Sequence, residues 1–329
     1  MDFAINGFGR IGRALFRIAF YDGRNVCVYI NEPKASIDDI IYFLKYDSLY
    51  AGFQVTISKI SSTTFSVENA NSNWIVSVSH FSDPFEIKTD ASVIIDASGE
   101  VSHLGRYNRN NRIILFTSSD TETKNEVILG FNDADLANIK EGEILFGSIC
   151  DSVAVVPILG KLMERHVISQ ALITTMHPAL AYQKVLDNYT SEGISRTLGR
   201  QYIDSIIPKR TSLEAVLKHH LNTDNTLIRC MSFRVPTESV CLADITLFFE
   251  HEITFGEVSK ELQSLDPRII GFSDEDLVSI DYKATHVSAT IDTRWLEVLD
   301  NHILKMVIWY DNEWGYSSRI NDLIAMLQV

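Results

Sequence analysis

Ala4-Ile5-Asn6-Gly7-Phe8-Gly9-Arg10-Ile11-Gly12-Arg13 decides how the first half of the chain folds. The run from Phe3 to Asn6 reads as a short strand, Asn-Gly-Phe-Gly as a turn, and Ile11 to Phe20 as a helix. Ile11, Leu15, Ile18 and Ala19 fall at helical spacing. Gly7, Gly9 and Gly12 therefore form G-x-G-x-x-G between a strand and a helix, where bare backbone can approach a pyrophosphate and helix N–H groups can bind it. Glu32 lies 20 residues beyond Gly12, at the end of a second expected strand, Val26 to Asn31. A carboxylate there accepts hydrogen bonds from ribose hydroxyls and repels a 2′-phosphate, so the pattern specifies NAD rather than NADP. The plainer alternative is a glycine turn that only lets strand and helix pack closely.

Outward from this segment, short apolar runs at Ser92 to Asp96, Arg112 to Phe116 and Val127 to Gly130 alternate with helix-like stretches. That alternation predicts a parallel sheet wrapped by helices. Beyond His177 the pattern changes to a polar, irregular stretch from Asn188 to Ser205. Longer runs follow at Leu227 to Pro236, Val240 to Glu250 and Ile303 to Tyr310, which predict a mostly antiparallel second sheet. Ile320, Leu323, Ile324 and Leu327 make a helical stripe within Gly315 to Val329. The expected class is α/β: a Rossmann-type parallel-sheet domain followed by an α+β domain with a mostly antiparallel sheet, with the C-terminal stripe able to pack back on either domain.

A chain of 329 residues is long for one core and suits two domains, and its 46% hydrophobic and 22% charged residues are ordinary for globular proteins. A net charge of −14, with Lys and Arg scattered, argues against nucleic acid and anionic membranes as partners. No apolar run approaches the roughly 18 to 20 residues of a membrane span, and no signal-peptide pattern opens the chain, so a cytoplasmic location is expected. Cys27, Cys150, Cys230 and Cys241 form no CxxC pair and have no metal-ligand spacing with histidines, so reduced thiols and no metal site are expected.

The opening decapeptide resembles that of glyceraldehyde-3-phosphate dehydrogenases and the sister erythrose-4-phosphate dehydrogenases. Lys45-Tyr46-Asp47-Ser48, Ser232-Phe233-Arg234-Val235-Pro236-Thr237 and Trp309-Tyr310-Asp311-Asn312-Glu313-Trp314-Gly315-Tyr316 are similar to further family motifs, in family order across the whole chain. The resemblance implies Cys150 as nucleophile at a helix N-terminus, with Pro157 seven residues on, and His177, 27 residues after Cys150, as its base. A helix N-terminus would favour the thiolate. The implied chemistry is thiolate attack on an aldehyde, deprotonation of the thiohemiacetal, hydride transfer to NAD, and cleavage of a thioacyl-enzyme by phosphate or water. Implied cofactor contacts are Asn6, Gly7, Gly9, Arg10, Ile11, Gly12, Glu32, Ser98, Thr117 and Asn312, the last to the nicotinamide carboxamide. Arg234 is the leading implied contact to a small phosphorylated aldehyde, with Thr211 and Arg200 weaker, and the family is usually tetrameric. The resemblance also implies an NAD-binding Rossmann domain over 1–149, a catalytic domain over 150–314, and a helix over 315–329 that returns to the first domain. Outside the frame, a lone cysteine or histidine is more often structural than catalytic.

Several positions depart from the family. Its nucleophile is followed by Thr-Thr-Asn-Cys, whereas Cys150 is followed by Asp151-Ser152-Val153-Ala154. Asp151 replaces a hydroxyl that helps to hold attacking phosphate, so its carboxylate would repel the dianion and oppose thiolate formation, unless it turns away as a first-turn acidic residue. Two phosphate-holding threonines after the histidine are replaced by Leu180 and Tyr182, and a Ser-Thr-Gly-Ala-Ala segment reads Lys209-Arg210-Thr211-Ser212-Leu213-Glu214. Lys209 and Arg210 can form a remodelled anion site, although a surface salt bridge is an equal alternative for Arg200 and Lys209. Three functional readings stand: aldehyde oxidation with hydrolytic release, as in the erythrose-4-phosphate branch; a phosphorylating dehydrogenase with a remodelled anion site; and an NAD-binding paralogue without catalysis.

Overall fold

The computed structural model describes residues 1–109, 111–122, 125–190, 195–221, 223 and 225–327. Its chain divides into two compact units, Met1–Ile149 with Tyr316–Val329, and Cys150–Gly315.

In the first unit, β1 (Asp2–Asn6) runs through the glycine turn into α1 (Arg10–Asp22), followed by β2 (Val26–Asn31), α2 (Ile37–Lys45), β3 (Thr56–Lys59), β4 (Thr64–Glu68), β5 (Asn73–Ser79), β6 (Val93–Asp96), β7 (Ile113–Phe116) and β8 (Ile144–Phe146). The eight strands lie in the order β3-β4-β5-β2-β1-β6-β7-β8. All pairs from β5 to β8 are parallel, while β3 and β4 add antiparallel strands at one edge. The parallel strands are continuous apolar runs because both faces are covered: β6 and β7 are buried at every position. The chain leaves β1 toward β2 on one side and returns to β6 on the other, and such a reversal opens a ligand crevice at the carboxyl ends of the two strands.

Two glycines of the turn are required by close packing. Gly7 has φ +91°, and a Cβ there would stand 2.6 Å from Ser98 Cα; a Cβ at Gly12 would collide with the carbonyl oxygen of Gly7. Gly9 has nothing within 4 Å of its Cβ position. Asp47 of the Lys-Tyr-Asp-Ser motif acts structurally: its carboxylate lies 3.1 Å from the buried Arg17 guanidinium of α1, which also donates to the Phe43 carbonyl of α2 at 2.7 Å.

The expected strand at Val127 to Gly130 is not formed. Val127, Ile128 and Leu129 are buried, but they sit in a turn that Asn132 and Asp133 hold through bonds to the Ile128 and Gly130 amides, and only Glu126 makes an isolated bridge. Three buried apolar residues cannot distinguish strand from packed turn without the side chains that cap them. The sequence reading also missed β3, β4, β5 and β8.

The second unit begins with α3 (Cys150–Met163) and β9 (Ile168–His177), then β10 (Ile207–Lys209), α4 (Leu213–His220), β11 (Leu227–Arg234), β12 (Cys241–Phe249), α5 (Phe255–Leu262), β13 (Ile270–Ser273), β14 (Ala289–Leu299) and β15 (Ile303–Tyr310). Its sheet has the order β10-β11-β9-β12-β15-β14-β13, with four antiparallel and two parallel pairs. Burial alternates residue by residue along β12 and β15, as a sheet with one covered face requires.

α6 (Trp314–Met326) lies mostly in the first unit, where Asn321 bonds Asn25, Asp322 pairs with Arg24, and the Tyr316 hydroxyl donates to the Ser148 carbonyl at 3.0 Å. Residues 191–194 of the expected irregular stretch lie outside the described residues; the flanking chain carries one short helical turn, Arg196–Gly199.

The two glycine environments give a direct test. Gly12→Ala lowers stability by about 1–3 kcal/mol through overpacking, while Gly9→Ala stays within about 0.5 kcal/mol of the parent, both read by denaturant unfolding.

Candidate active site

In the first unit the expected cofactor residues gather around the carboxyl ends of β1, β2, β6 and β7. Gly9 is the N-cap of α1 and supplies no side-chain cap to the helix. It is exposed, and Arg10 and Ile11 are half-buried. Glu32 is drawn to the turn, with one carboxylate oxygen accepting from the Phe8 amide at 2.8 Å and the other from Lys34 at 3.0 Å. Four lone-pair positions on a carboxylate leave room for hydroxyl donors as well.

Beneath the turn lies a buried polar knot that motif reading did not show. Tyr107 donates to Asp96 Oδ2 at 2.6 Å and accepts from Asn6 Nδ2 at 2.7 Å, while Asn31 donates to Asn6 Oδ1 at 2.7 Å. Ser98 donates to Asp96 Oδ1 at 2.5 Å, and Thr117 donates to the Asp96 carbonyl at 3.0 Å. Asn6, Ser98 and Thr117 are thus held as one group. The residues fit a dinucleotide: a glycine open to close approach, an uncapped helix N-terminus for a pyrophosphate, and a carboxylate at the turn.

In the second unit, sheet register assembles the other candidates. Arg234 pairs with His177 across β11 and β9, and Cys241 pairs with Tyr310 across β12 and β15. Arg234, His177 and Tyr310 end their strands, Cys241 opens β12, and all four are buried in one inward-facing row. Cys150 opens α3, and its Sγ lies 3.7 Å from His177 Nε2. His177 Nδ1 is 2.8 Å from the Pro178 carbonyl, which can only accept, so Nδ1 carries the hydrogen and Nε2 presents a lone pair to the sulfur.

Asp151 does not turn away. Its Oδ1 is 3.6 Å from Cys150 Sγ and accepts from the Tyr310 hydroxyl at 2.8 Å, while Oδ2 accepts from Thr211 at 3.4 Å. Thr211, expected as a substrate contact, also accepts from the Leu213 amide at 3.1 Å. Arg234 is 5% exposed; one terminal nitrogen donates to the Tyr182 hydroxyl at 3.4 Å, while Nε and Nη1 are buried without a partner among the described residues. Idle buried N–H groups on a guanidinium can pair with an anion. Lys209 sits 5.9 Å from the Tyr182 ring centre, whereas Arg200 is exposed and paired with Asp187 at 3.0 Å, which removes it from the substrate candidates. Asn312 is buried, and its Oδ1 has no partner among the described residues.

The electrostatics correct one expectation. Burial, and then the Asp151 charge, push the Cys150 thiol well above its ordinary range; Arg234 opposes them only in part. At the sulfur, burial and the Asp151 charge oppose whatever the helix N-terminus contributes toward a thiolate. Burial first, and Arg234 next, lower His177 to about 4, so its imidazole is neutral at pH 7. Burial raises the Tyr182 phenol, but Arg234 and Lys209 outweigh it and the net shift is downward. The donor atoms of Cys150, Asp151 and His177 lie within 4.8 Å of one another, close enough for a metal ion, yet the Arg234 charge acting on the same groups disfavours a cation. All four cysteines are free, and Cys27 and Cys241 are buried.

A dinucleotide-binding unit and a second unit with a thiol–imidazole pair together define an NAD-dependent aldehyde dehydrogenase. The chain belongs to the glyceraldehyde-3-phosphate dehydrogenase family: residues 1–104 match the family's NAD binding domain and residues 149–312 its C-terminal domain. It is 30% identical to a chloroplastic glyceraldehyde-3-phosphate dehydrogenase of Arabidopsis thaliana over 97% of this chain and 77% of that one. It is 28% identical to a cytosolic one of Magnolia liliiflora over 99% and 96% of the two chains, and 30% identical to one of Mastigamoeba balamuthi over 97% and 96%.

Removing the Asp151 charge relieves one of the two forces that hold the sulfur protonated, so the thiolate fraction at pH 7 rises. Asp151→Asn therefore speeds iodoacetamide labelling of Cys150, located by peptide mass, by roughly tenfold or more; an unchanged rate contradicts the electrostatic account.

Proposed function

We propose that this enzyme oxidises a small phosphorylated aldose aldehyde with NAD and releases the acid by hydrolysis, as in the erythrose-4-phosphate branch. The observation that carries the reading is Asp151: its carboxylate lies 3.6 Å from the nucleophilic sulfur and is fixed there by Tyr310 and Thr211. In the family a hydroxyl at this position helps to hold phosphate; a fixed anion repels the dianion and leaves neutral water unaffected.

Cys150 attacks the aldehyde carbon, and the sulfur's proton passes to His177 Nε2 or to the new oxyanion, giving a thiohemiacetal. His177 then takes the hydroxyl proton as the C–H bond breaks. Bound NAD supplies the hydride acceptor. Asn6, Gly7, Gly9, Arg10, Ile11, Gly12, Glu32, Ser98 and Thr117 would hold the dinucleotide, and Asn312 would serve its carboxamide. Arg234 takes the substrate's phosphate or a hydroxyl through its idle N–H groups, with Lys209 adding charge. Thr211 acts through Asp151 as well as on substrate.

A phosphorylating reaction is the second reading, favoured by the cations Arg234 and Lys209 around Tyr182. NADH formation from erythrose 4-phosphate, glyceraldehyde 3-phosphate and unphosphorylated aldehydes, each with and without phosphate, separates the two. The expected result is NADH without phosphate, lost in Cys150→Ser and reduced roughly 10²–10⁴-fold in His177→Asn. Strict dependence on phosphate overturns hydrolytic release. NAD binding without turnover of any aldehyde identifies a non-catalytic paralogue.

Homo-oligomerisation, a tetramer by family analogy, is supported by the outer face of the second sheet, where Leu172, Met176, Leu227 and Met231 are exposed on the adjacent strands β9 and β11. In the register of the two strands these residues alternate with Gln170, Thr174 and Arg229, a mixed face of the kind a partner subunit can cover. Sedimentation velocity of the parent gives the tetramer, and Met231→Glu shifts it to smaller species. Among the described residues no helix is long and apolar enough to cross a membrane, and the four free thiols suit a reducing compartment such as the cytoplasm.

A further inference from the structure

We propose that Asp151 is the general base, and then the general acid, that hydrolyses the acyl group from Cys150; the inference rests on the hydrolytic reading above. Two proton acceptors flank the sulfur, His177 Nε2 at 3.7 Å and Asp151 Oδ1 at 3.6 Å. Oxidation of the thiohemiacetal uses the first. The second has no task in that half-reaction, and it opposes formation of the attacking thiolate. A buried carboxylate that hinders one step and is nevertheless held by two hydroxyls calls for a step that it serves.

The acyl-enzyme provides that step. A carboxylate has about four lone-pair positions; Tyr310 and Thr211 occupy two, and a third on Oδ1 lies within reach of the Cys150 S–H that His177 Nε2 shares. Acylation replaces the S–H by an S–C bond, so Oδ1 loses that donor beside the new carbonyl carbon. A water that attacks this carbon must give up a proton there. The water oxygen bonds to the acyl carbon and its proton goes to Asp151. The tetrahedral adduct then collapses, the C–S bond breaks with its electron pair on sulfur, and Asp151 returns the proton to that sulfur. The products are the carboxylic acid, which ionises in solution, and the Cys150 thiol, with no net redox change. A carboxylate beside sulfur is a poor neighbour for a departing thiolate, but a protonated one lets sulfur leave as a neutral thiol.

Tyr310 and Thr211 act as positioning residues: their hydroxyls aim the carboxylate and leave its remaining lone pairs toward the sulfur. The buried position, 6% exposed, limits competing bulk water as proton acceptor.

The test isolates deacylation from aldehyde oxidation. The full-length enzyme is acetylated with p-nitrophenyl acetate without NAD, and loss of the acetyl group from Cys150 is followed by peptide mass. The wild-type enzyme is expected to shed it in phosphate-free buffer. Asp151→Asn, which is isosteric and can keep both hydroxyl contacts, accumulates acetyl-Cys150 and sheds it roughly 10²–10⁴-fold more slowly, with recovery in part by Asp151→Glu. In the aldehyde assay the same variant gives one NADH per site in a burst, followed by slow turnover. Deacetylation by Asp151→Asn within about threefold of wild type overturns the proposal, as does failure of Cys150 to accept the acetyl group in the wild type. A wild type that releases acetate to water but needs phosphate to turn over aldehydes instead removes the hydrolytic reading for the aldehyde substrate. Thermal melting of each variant separates misfolding from slow deacylation: a variant that melts with the wild type yet retains acetyl-Cys150 supports the proposal.

Discussion

The hydrogen bond from Tyr310 to Asp151 is the constraint on which the second unit's chemistry depends. It ties the first turn of α3 to the end of β15, and β15 is tied through β12 and β9 to β11 by ladders that keep one register near the site, the β12–β9 pair shifting only at Phe248/Phe249 at the far end. Because side chains alternate along a strand, a slip of one residue in any of these ladders would turn His177, Arg234 or Tyr310 to the outer face. The apolar positions further along the strands, among them Ile173, Ile245, Leu247, Met306 and Ile308, are buried on the covered face and so hold that register. Thus the core sets the row, and the row sets what stands beside Cys150.

The charges in this row explain why neither member of the pair rests in its ionised form. Burial favours the neutral thiol and the neutral imidazole alike. Asp151 adds to the effect on sulfur, and Arg234 adds to the effect on His177 while partly offsetting Asp151 at the thiol. The neutral pair is therefore a base and a proton source in hydrogen-bond reach. The proton has to move as the substrate's carbon approaches, which places activation in the encounter rather than in the resting enzyme.

The sequence made the first β-α-β unit legible because three local rules agree there: apolar run, glycine turn and helical spacing. It made Cys150 and His177 legible only through the family frame, since nothing within 27 residues of chain says that α3 begins beside the end of β9. Val127 to Gly130 misled because apolar residues in a buried turn carry the same signal as a strand; the Asn132 and Asp133 caps decide it. Asp151 was visible as a departure, but its direction was not. Its side chain is set by Tyr310, 159 residues away, and no periodicity links the two. The Asp96 knot was silent for the same reason: Asn6, Asn31, Asp96 and Tyr107 meet only when three parallel strands are in register.

The departures near the two cations are physically linked. Where the family has threonine, Tyr182 brings a phenol that accepts from Arg234 and lies under Lys209, so one aromatic ring touches both cations. Arg234 still has two buried nitrogens to satisfy, and Asp151 lies near enough for Arg234 to offset its charge at Cys150. A substrate anion on Arg234 would neutralise the guanidinium and leave Asp151 less compensated at the moment of bond breaking. An uncompensated carboxylate is a stronger base toward water and a stronger barrier to a second anion. On the proposed reading, occupation of the substrate site by its own phosphate would thus work against inorganic phosphate as the acyl acceptor and in favour of water.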